Sequence, residues 1–189
     1  MMTTPSQDSV KGNLLYFSPS EQEPSYFTDS LLYICDHGEL GALGLIINRP
    51  LDLKLKDLFN SMKITKNSKA AGNAYMGGPV NPGAIFILHS SERKWDSTME
   101  VSENISLSTS EDAIQAIANC EGPKNYLMTL GYAGWGVNQL ESELVENAWI
   151  IIPENKDVIF NPNPNKQMSE LSAFVGYDIR MISPDFGNA

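Results

Sequence analysis

LLYICDHGELGALGLIINRP, residues 31–50, is the stretch on which the fold class turns. It holds two apolar runs, Leu31–Cys35 and Ala42–Ile47, on either side of His37-Gly38-Glu39-Leu40-Gly41. Runs this short, bounded by turn residues, read as buried strands and not as helices. The connection between them suits an antiparallel hairpin. Asn48-Arg49-Pro50 ends the second strand.

On the N-terminal side, Asn13–Phe17 is a further strand, stopped at Ser18-Pro19, where proline keeps the preceding residue extended. On the C-terminal side the period changes. Leu55, Leu58, Phe59 and Met62 fall at i, i+3, i+4 and i+7, the apolar face of a helix about two and a half turns long. Burial of those side chains contributes roughly 1.5–3 kcal/mol each, which predicts packing on a sheet. Strands follow at Ala74–Met76 and Ile85–His89, joined through Gly77-Gly78-Pro79-Val80 and the turn Asn81-Pro82-Gly83. Thr98–Ser102 and Ile105–Ser108 form a weaker hairpin. Thr109 and Asp112 have capping-box spacing before a helix on Ala113, Ile114 and Ile117, ended by Gly122-Pro123. Tyr126–Leu130 is a strand, and GYAGWGVN (131–138) reads as a Gly-dense loop. Asn138 and Glu141 then open a helix on Leu140, Leu144 and Ala148. Trp149–Ile152 is a buried strand. A last helix carries Met168, Leu171, Phe174 and Val175 and closes at Gly176.

These elements predict an α+β fold: a mixed, largely antiparallel sheet, open or barrel-like, with helices packed outside it. Residues 1–10 read as a flexible tail and 11–189 as one domain, since no linker or repeat interrupts the chain.

Composition narrows the class. The 189 residues carry 13 Lys and Arg against 23 Asp and Glu, a formal net charge of −10. Charged residues are 19% of the chain, below the usual share of about 25%. A disordered chain, a disulfide scaffold and a generally basic nucleic-acid binder are excluded. The first ten residues contain no Lys, Arg or apolar run, and no stretch approaches the ~18 apolar residues of a membrane span. Cys35 and Cys120 lack CxxC spacing and suit a reducing cytosol. Lys54, Lys56, Lys63, Lys66 and Lys69 against Asp52 and Asp57 make one locally basic stretch, too weak for a counterion-releasing DNA surface.

Candidate chemistry is sparse. His37, Arg49 and His89 each end an apolar strand, so strand ends gathered at one rim would place all three in a common pocket. The hairpin argues otherwise, because it starts His37 and Asn48 at opposite sheet edges. A metal site would need Cys35, Asp36, His37 and His89 to converge, yet Cys35 and Asp36 alternate faces in an extended strand. No HExxH or paired Cys/His spacing exists, so neither metal nor cofactor is expected. Ser90 and Ser91 lie beside His89, but there is no GxSxG elbow. The Gly131–Gly136 segment joins a strand to a helix and is the best phosphate-cradle candidate. Its spacing is G-x-x-G-x-G, it lacks the Walker lysine and Ser/Thr, and Glu141, Glu143 and Glu146 follow. Trp135 within it is either a core plug or an exposed contact residue.

LLYICDHGELGALGLIINRP, MGGPVNPGAIFILHS (76–90), LSTSEDAIQAI (107–117) and LGYAGWGVNQLESELVENAWIIIP (130–153) together resemble the AlgH/YqgE family of small bacterial proteins. The similarity runs from about Lys11 to the C-terminus, and GYAGW followed by QLE-x-EL-x-x-NAW is its most specific part. The resemblance implies a single-domain cytoplasmic α+β protein without established enzymatic activity or agreed catalytic residues. One branch is named for a role in regulating alginate production, which implies indirect transcriptional control. The chain departs from its relatives in three places. Asn138 stands where they usually have the glycine of GQLE, which replaces a glycine by a potential side-chain cap. Gly187-Asn188-Ala189 replaces a terminal GHA, and Tyr16-Phe17-Ser18-Pro19 replaces AMP after the first strand.

The expectation is therefore a non-enzymatic binding or regulatory module with a protein partner and no direct contact with DNA or membrane. Its surface would comprise Asn48, Arg49, Gly77, Gly78, Pro79, His89, Gly131, Tyr132, Gly134, Trp135, Gln139 and Glu141. The alternatives are a small hydrolase using His37 or His89, and a nucleotide-binding protein using the Gly131–Gly136 segment.

Overall fold

In a computed structural model describing residues 9–18, 24–64 and 68–182, the hairpin forms as β2 (Leu31–Gly38) and β3 (Gly41–Ile46). Pro19, Lys66 and the 187–189 terminus, like most of the 1–10 tail, lie outside the described residues. β1 (Leu14–Phe17) pairs antiparallel with β2. The three strands are continuous apolar runs because both faces are buried. Leu14, Tyr16, Leu31, Tyr33, Leu45 and Ile47 enter one cluster, while Leu15, Leu32, Ile34 and Ile46 enter another. A register shift between Ile34 and Asp36 adds one residue to β2. It keeps Cys35 buried while Asp36 faces solvent, so the bulge does not bring the two onto one face.

The remaining strands are β4 (Pro50–Lys54), β5 (Asn73–Met76), β6 (Val80–Ser90), β7 (Met99–Glu100), β8 (Ile105–Ser108), β9 (Tyr126–Trp135) and β10 (Trp149–Ile152). The path β10-β1-β2-β3-β9-β6-β8-β7 is open, with β4 and β5 branching beside β9, and the sheet is a curled half-barrel. All pairings are antiparallel except β5 with β9.

The helices are α1 (Leu55–Ser61), α2 (Glu111–Ala118), α3 (Gln139–Val145), α4 (Lys156–Ile159) and α5 (Pro164–Val175), with a short 3-10 turn at Ile179–Met181. Leu55 and Phe59 of α1 join Ala113, Ile114 and Ile117 of α2 against Ile87 and Met128 on one side of the sheet. Leu140 of α3 packs with Ala133, Trp135 and Trp149 elsewhere. Val158 and Ile159 of α4 and Met168 and Leu171 of α5 enter the cluster shared by β1, β2, β3, β8 and β9.

Several local expectations change. GYAGW is not a loop: it is the second half of β9, and only Gly136-Val137-Asn138 turns into α3. β10 is an edge strand, with Trp149 and Ile152 buried but Ile151 exposed. Met62, at the C-cap of α1, and Phe174, within α5, are exposed and add nothing to the core. α2 is preceded by Ser110, not Thr109, and the Asp112 carboxylate accepts the Ser110 hydroxyl and the Ala113 N–H. Asn138 makes no side-chain cap. Its φ of 59° is left-handed, a conformation that favours glycine and that asparagine tolerates best among other residues.

Candidate functional site

The two Gly-rich motifs meet backbone to backbone. Gly77 N–H donates to Leu130 O at 2.9 Å, and Ile46 N–H donates to Gly77 O at 2.8 Å. This extends the β5–β9 ladder and ties it to β3. A Cβ on Gly77 would stand 2.2 Å from Gly131 O, and one on Gly78 would stand 2.1 Å from the Tyr132 carbonyl carbon. Gly131, at φ 72°, marks the point where one edge of β9 changes partner, from β5 at Thr129–Leu130 to β3 at Ala133–Trp135. These glycines therefore serve a strand exchange inside the sheet, and the GYAGW carbonyls and N–H groups are ladder members, not a phosphate cradle.

The other expected surface residues are dispersed. Asn48 Oδ1 accepts Leu31 N–H at 2.9 Å and its Nδ2 donates to Asp29 O at 2.8 Å. Arg49 donates to Tyr26 O at 2.7 Å and Thr28 O at 2.6 Å, with its guanidinium over the Tyr26 ring. This pair clamps the segment that leads into β2. Trp135 is buried, which makes it a core plug. Its indole N–H and that of Trp149 both donate to Glu143 Oε2, at 2.9 and 2.7 Å, while Gln139 Nε2 donates to Glu143 Oε1 at 3.1 Å. Phe17 and Phe27 complete this aromatic cluster edge-on to Trp149. Of the expected surface, Pro79, Gly134 and Gln139 are exposed, Asn48, Arg49, Tyr132 and Glu141 are half-buried, and Gly77, Gly78, Gly131, Trp135 and His89 are buried.

The histidines do not converge. His37 pairs through Ala42 with Trp135 at one end of β9, whereas His89 pairs with Tyr126 at the other. Nine residue steps of strand put them about 30 Å apart. His37 Nδ1 accepts Val10 N–H at 3.0 Å, which leaves Nε2 to donate to Glu141 Oε1 at 3.0 Å. Glu141 is held below the usual carboxylate range by its own backbone N–H and by His37. His89 is wholly buried. Its Nδ1 donates to Ser90 O at 3.0 Å, and its Nε2 accepts the Ser108 hydroxyl at 2.9 Å. Thr98 in turn donates to Ser108 at 2.8 Å and accepts Trp95 N–H at 2.7 Å. Ser108–His89 has the geometry of a nucleophile–base pair, but both residues are sealed from solvent and the orienting group is a carbonyl, not a carboxylate. Burial lowers the His89 pKa, so the ring stays uncharged as a core group. Burial likewise pushes the Cys35 thiol up, away from the reactive thiolate.

Concave surface lies elsewhere. A cleft of about 550 Å³ opens where β5 and β9 begin, lined by Leu55, Asn73, Tyr75, Lys124, Asn125, Tyr126, Met128 and Phe160. A shallower one of about 360 Å³ continues from it past Lys156, Asn163 and Lys166, and the two share Asn125, Phe160, Asn161 and Pro162. Burial raises the phenol pKa of both Tyr75 and Tyr126, so both are hydrogen-bond donors here. The sequence signal for this site is faint: Gly122-Pro123 reads only as a helix stop, and nothing in the spacing brings it to Phe160–Pro162. Glu141 borders a third, shallow depression of about 300 Å³ beside Asn138 and Val145. Among the described residues no group of three or more His, Cys, Asp or Glu is placed to hold a metal ion, and no helix is long and apolar enough to cross a membrane.

Fold and cleft together define a small α+β protein whose signature motifs build the sheet and whose open concavity meets the 31–50 motif at Pro50. Residues 14–180 match the AlgH-like family model, and the chain belongs to that family. A UPF0301 protein of Thioalkalivibrio sulfidiphilus is 43% identical over 172 residues, 90% of this chain and 92% of its own. One from Idiomarina loihiensis is 36% identical over 96% of this chain and all of its own. The solution structure of the AlgH protein from Pseudomonas aeruginosa matches the whole of both chains with a TM-score of 0.78 at 35% identity. A Corynebacterium diphtheriae protein shares the fold at TM-score 0.67 and 17% identity, over 88% of this chain and 90% of its own.

Proposed function

We propose that the protein is a non-enzymatic binding module of the cytoplasm whose ligand site is the cleft at the start of β5 and β9. The observation that carries this reading is the cleft itself. A concavity of about 550 Å³ with aromatic walls and a few polar groups has the size and chemistry of small-molecule sites. Both histidines, Asn48, Arg49, Gly77, Gly78, Gly131 and Trp135 are meanwhile committed to internal hydrogen bonds or backbone packing. A regulatory role, as the name of the AlgH branch suggests, would be exerted through a protein partner that reads the liganded state. The net charge of −10 disfavours direct contact with DNA.

The test is a heteronuclear NMR screen of the labelled protein against a fragment library. Perturbed amides clustering at Asn125–Met128 and Phe160–Pro162 are the expected result. Hits confined to the His89–Ser108 region, accompanied by ester turnover lost in Ser108→Ala, would overturn the reading in favour of a hydrolase.

A further inference from the structure

We infer that the cleft takes a small organic anion, an apolar or aromatic body carrying one phosphate or carboxylate head group; this rests on the binding-module reading above. The wider concavity has a single charged residue in its lining, Lys124, and the continuing one adds Lys156 and Lys166 against Asp157 and Glu170. Two of these charges already face each other: Lys166 Nζ is 3.7 Å from Glu170 Oε1, and Glu170 Oε2 accepts the Asn161 amide at 2.7 Å. Lys124 and Lys156 have no carboxylate within ion-pair distance among the described residues.

Glu92 is the carboxylate that feels Lys156, and it is occupied by the Ser90 hydroxyl at 2.9 Å and the Lys124 N–H at 2.5 Å. Asp157 borders only the shallower part. In a chain with ten more acids than bases, uncommitted cations border the wide cleft and its extension. Asn125 lies at the waist common to both, and its side-chain amide has no hydrogen-bond partner among the described residues. Two ammonium point charges and an amide suit a head group of one or two negative charges, while Tyr75, Tyr126 and Phe160 offer flat walls to the body.

The experiment titrates the full chain with naphthyl phosphate, naphthoate and uncharged naphthylmethanol, read by NMR at the Asn125 and Tyr126 amides. One or both anions should bind at least tenfold more tightly than the alcohol, and their ratio tells phosphate from carboxylate. Lys124→Gln with Lys156→Gln should erase that tenfold preference and leave the alcohol unchanged. Both side chains are solvent-facing, and an unaltered thermal unfolding midpoint verifies the fold of the double variant. Equal binding of alcohol and anions at the cleft overturns the anion assignment while the module stands. Absence of cleft perturbation by all three probes overturns both.

Discussion

Replacing Gly77 by alanine adds one methyl group at the point where the GGP and GYAGW motifs touch, and its cost separates architecture from ligand contact. The new Cβ would lie 2.2 Å from Gly131 O, 2.6 Å from Thr129 Oγ1 and 2.7 Å from Thr129 Cβ. Relief needs a displacement of roughly 1 Å, because packed atoms rarely approach closer than about 3.4 Å. Gly131 cannot yield easily, being held at φ 72° between two ladders. The shift stretches the Gly77–Leu130 and Ile46–Gly77 hydrogen bonds beyond useful range. Two lost bonds at about 1 kcal/mol each and overpacking at about 1–3 kcal/mol give a destabilisation of about 3–5 kcal/mol. For a urea m-value of about 2 kcal/mol per molar, the unfolding midpoint falls by about 2 M. Gly83→Ala is the control, since its Cβ would meet only Asn81 Oδ1 at 4.0 Å; it should change stability by less than about 0.5 kcal/mol. A Gly77→Ala midpoint within about 0.3 M of the Gly83→Ala value would refute the packing argument.

Three further outcomes follow from the same geometry. Burial lowers the His89 pKa, so the unfolded chain binds a proton that the native one refuses; stability should be full above about pH 6.5 and fall below it with a slope of up to about 1.4 kcal/mol per pH unit. Urea unfolding of wild type and His89→Gln across pH 5–7.5 isolates the contribution, and parallel curves would contradict it. Glu143→Ala strands two indole N–H groups and should cost about 3 kcal/mol or more, with a changed tryptophan emission; a loss under about 1 kcal/mol would count against the clamp. Asn138→Gly relieves a left-handed φ of 59° with no cap to lose and should stabilise by about 0.5 kcal/mol, read as a rise in melting temperature, whereas a fall would mean that the Asn138 side chain contributes.

Most strands were legible because their signal is local. The Leu31–Ile47 hairpin and the helix on Leu55 and Phe59 need only apolar period and turn residues to be recognised. GYAGW reads as a loop because Gly131, Gly134 and Gly136 look like turn chemistry, whereas Gly131 admits the backbone of Gly78 and Val80 and Gly134 lies within the strand. β10 reads as buried throughout because WIII is uniformly apolar, and composition does not say that it stands at an edge, where Ile151 is exposed. The aromatic clamp on Glu143 is hidden from the sequence because it joins β9, α3 and β10, which no apolar period or turn signal brings together.

The sequence by itself determined the class of the molecule: an acidic α+β chain, its hairpins, and membership of a family through motifs that are local in the chain. Only the tertiary structure decided where those motifs face. Close backbone approach depends on what a glycine meets across the sheet, and burial depends on which strands become neighbours. The same long-range pairing separates His37 from His89 by the length of β9 and joins Lys124–Tyr126 to Phe160–Pro162 in one cleft, a juxtaposition that no spacing along the chain encodes.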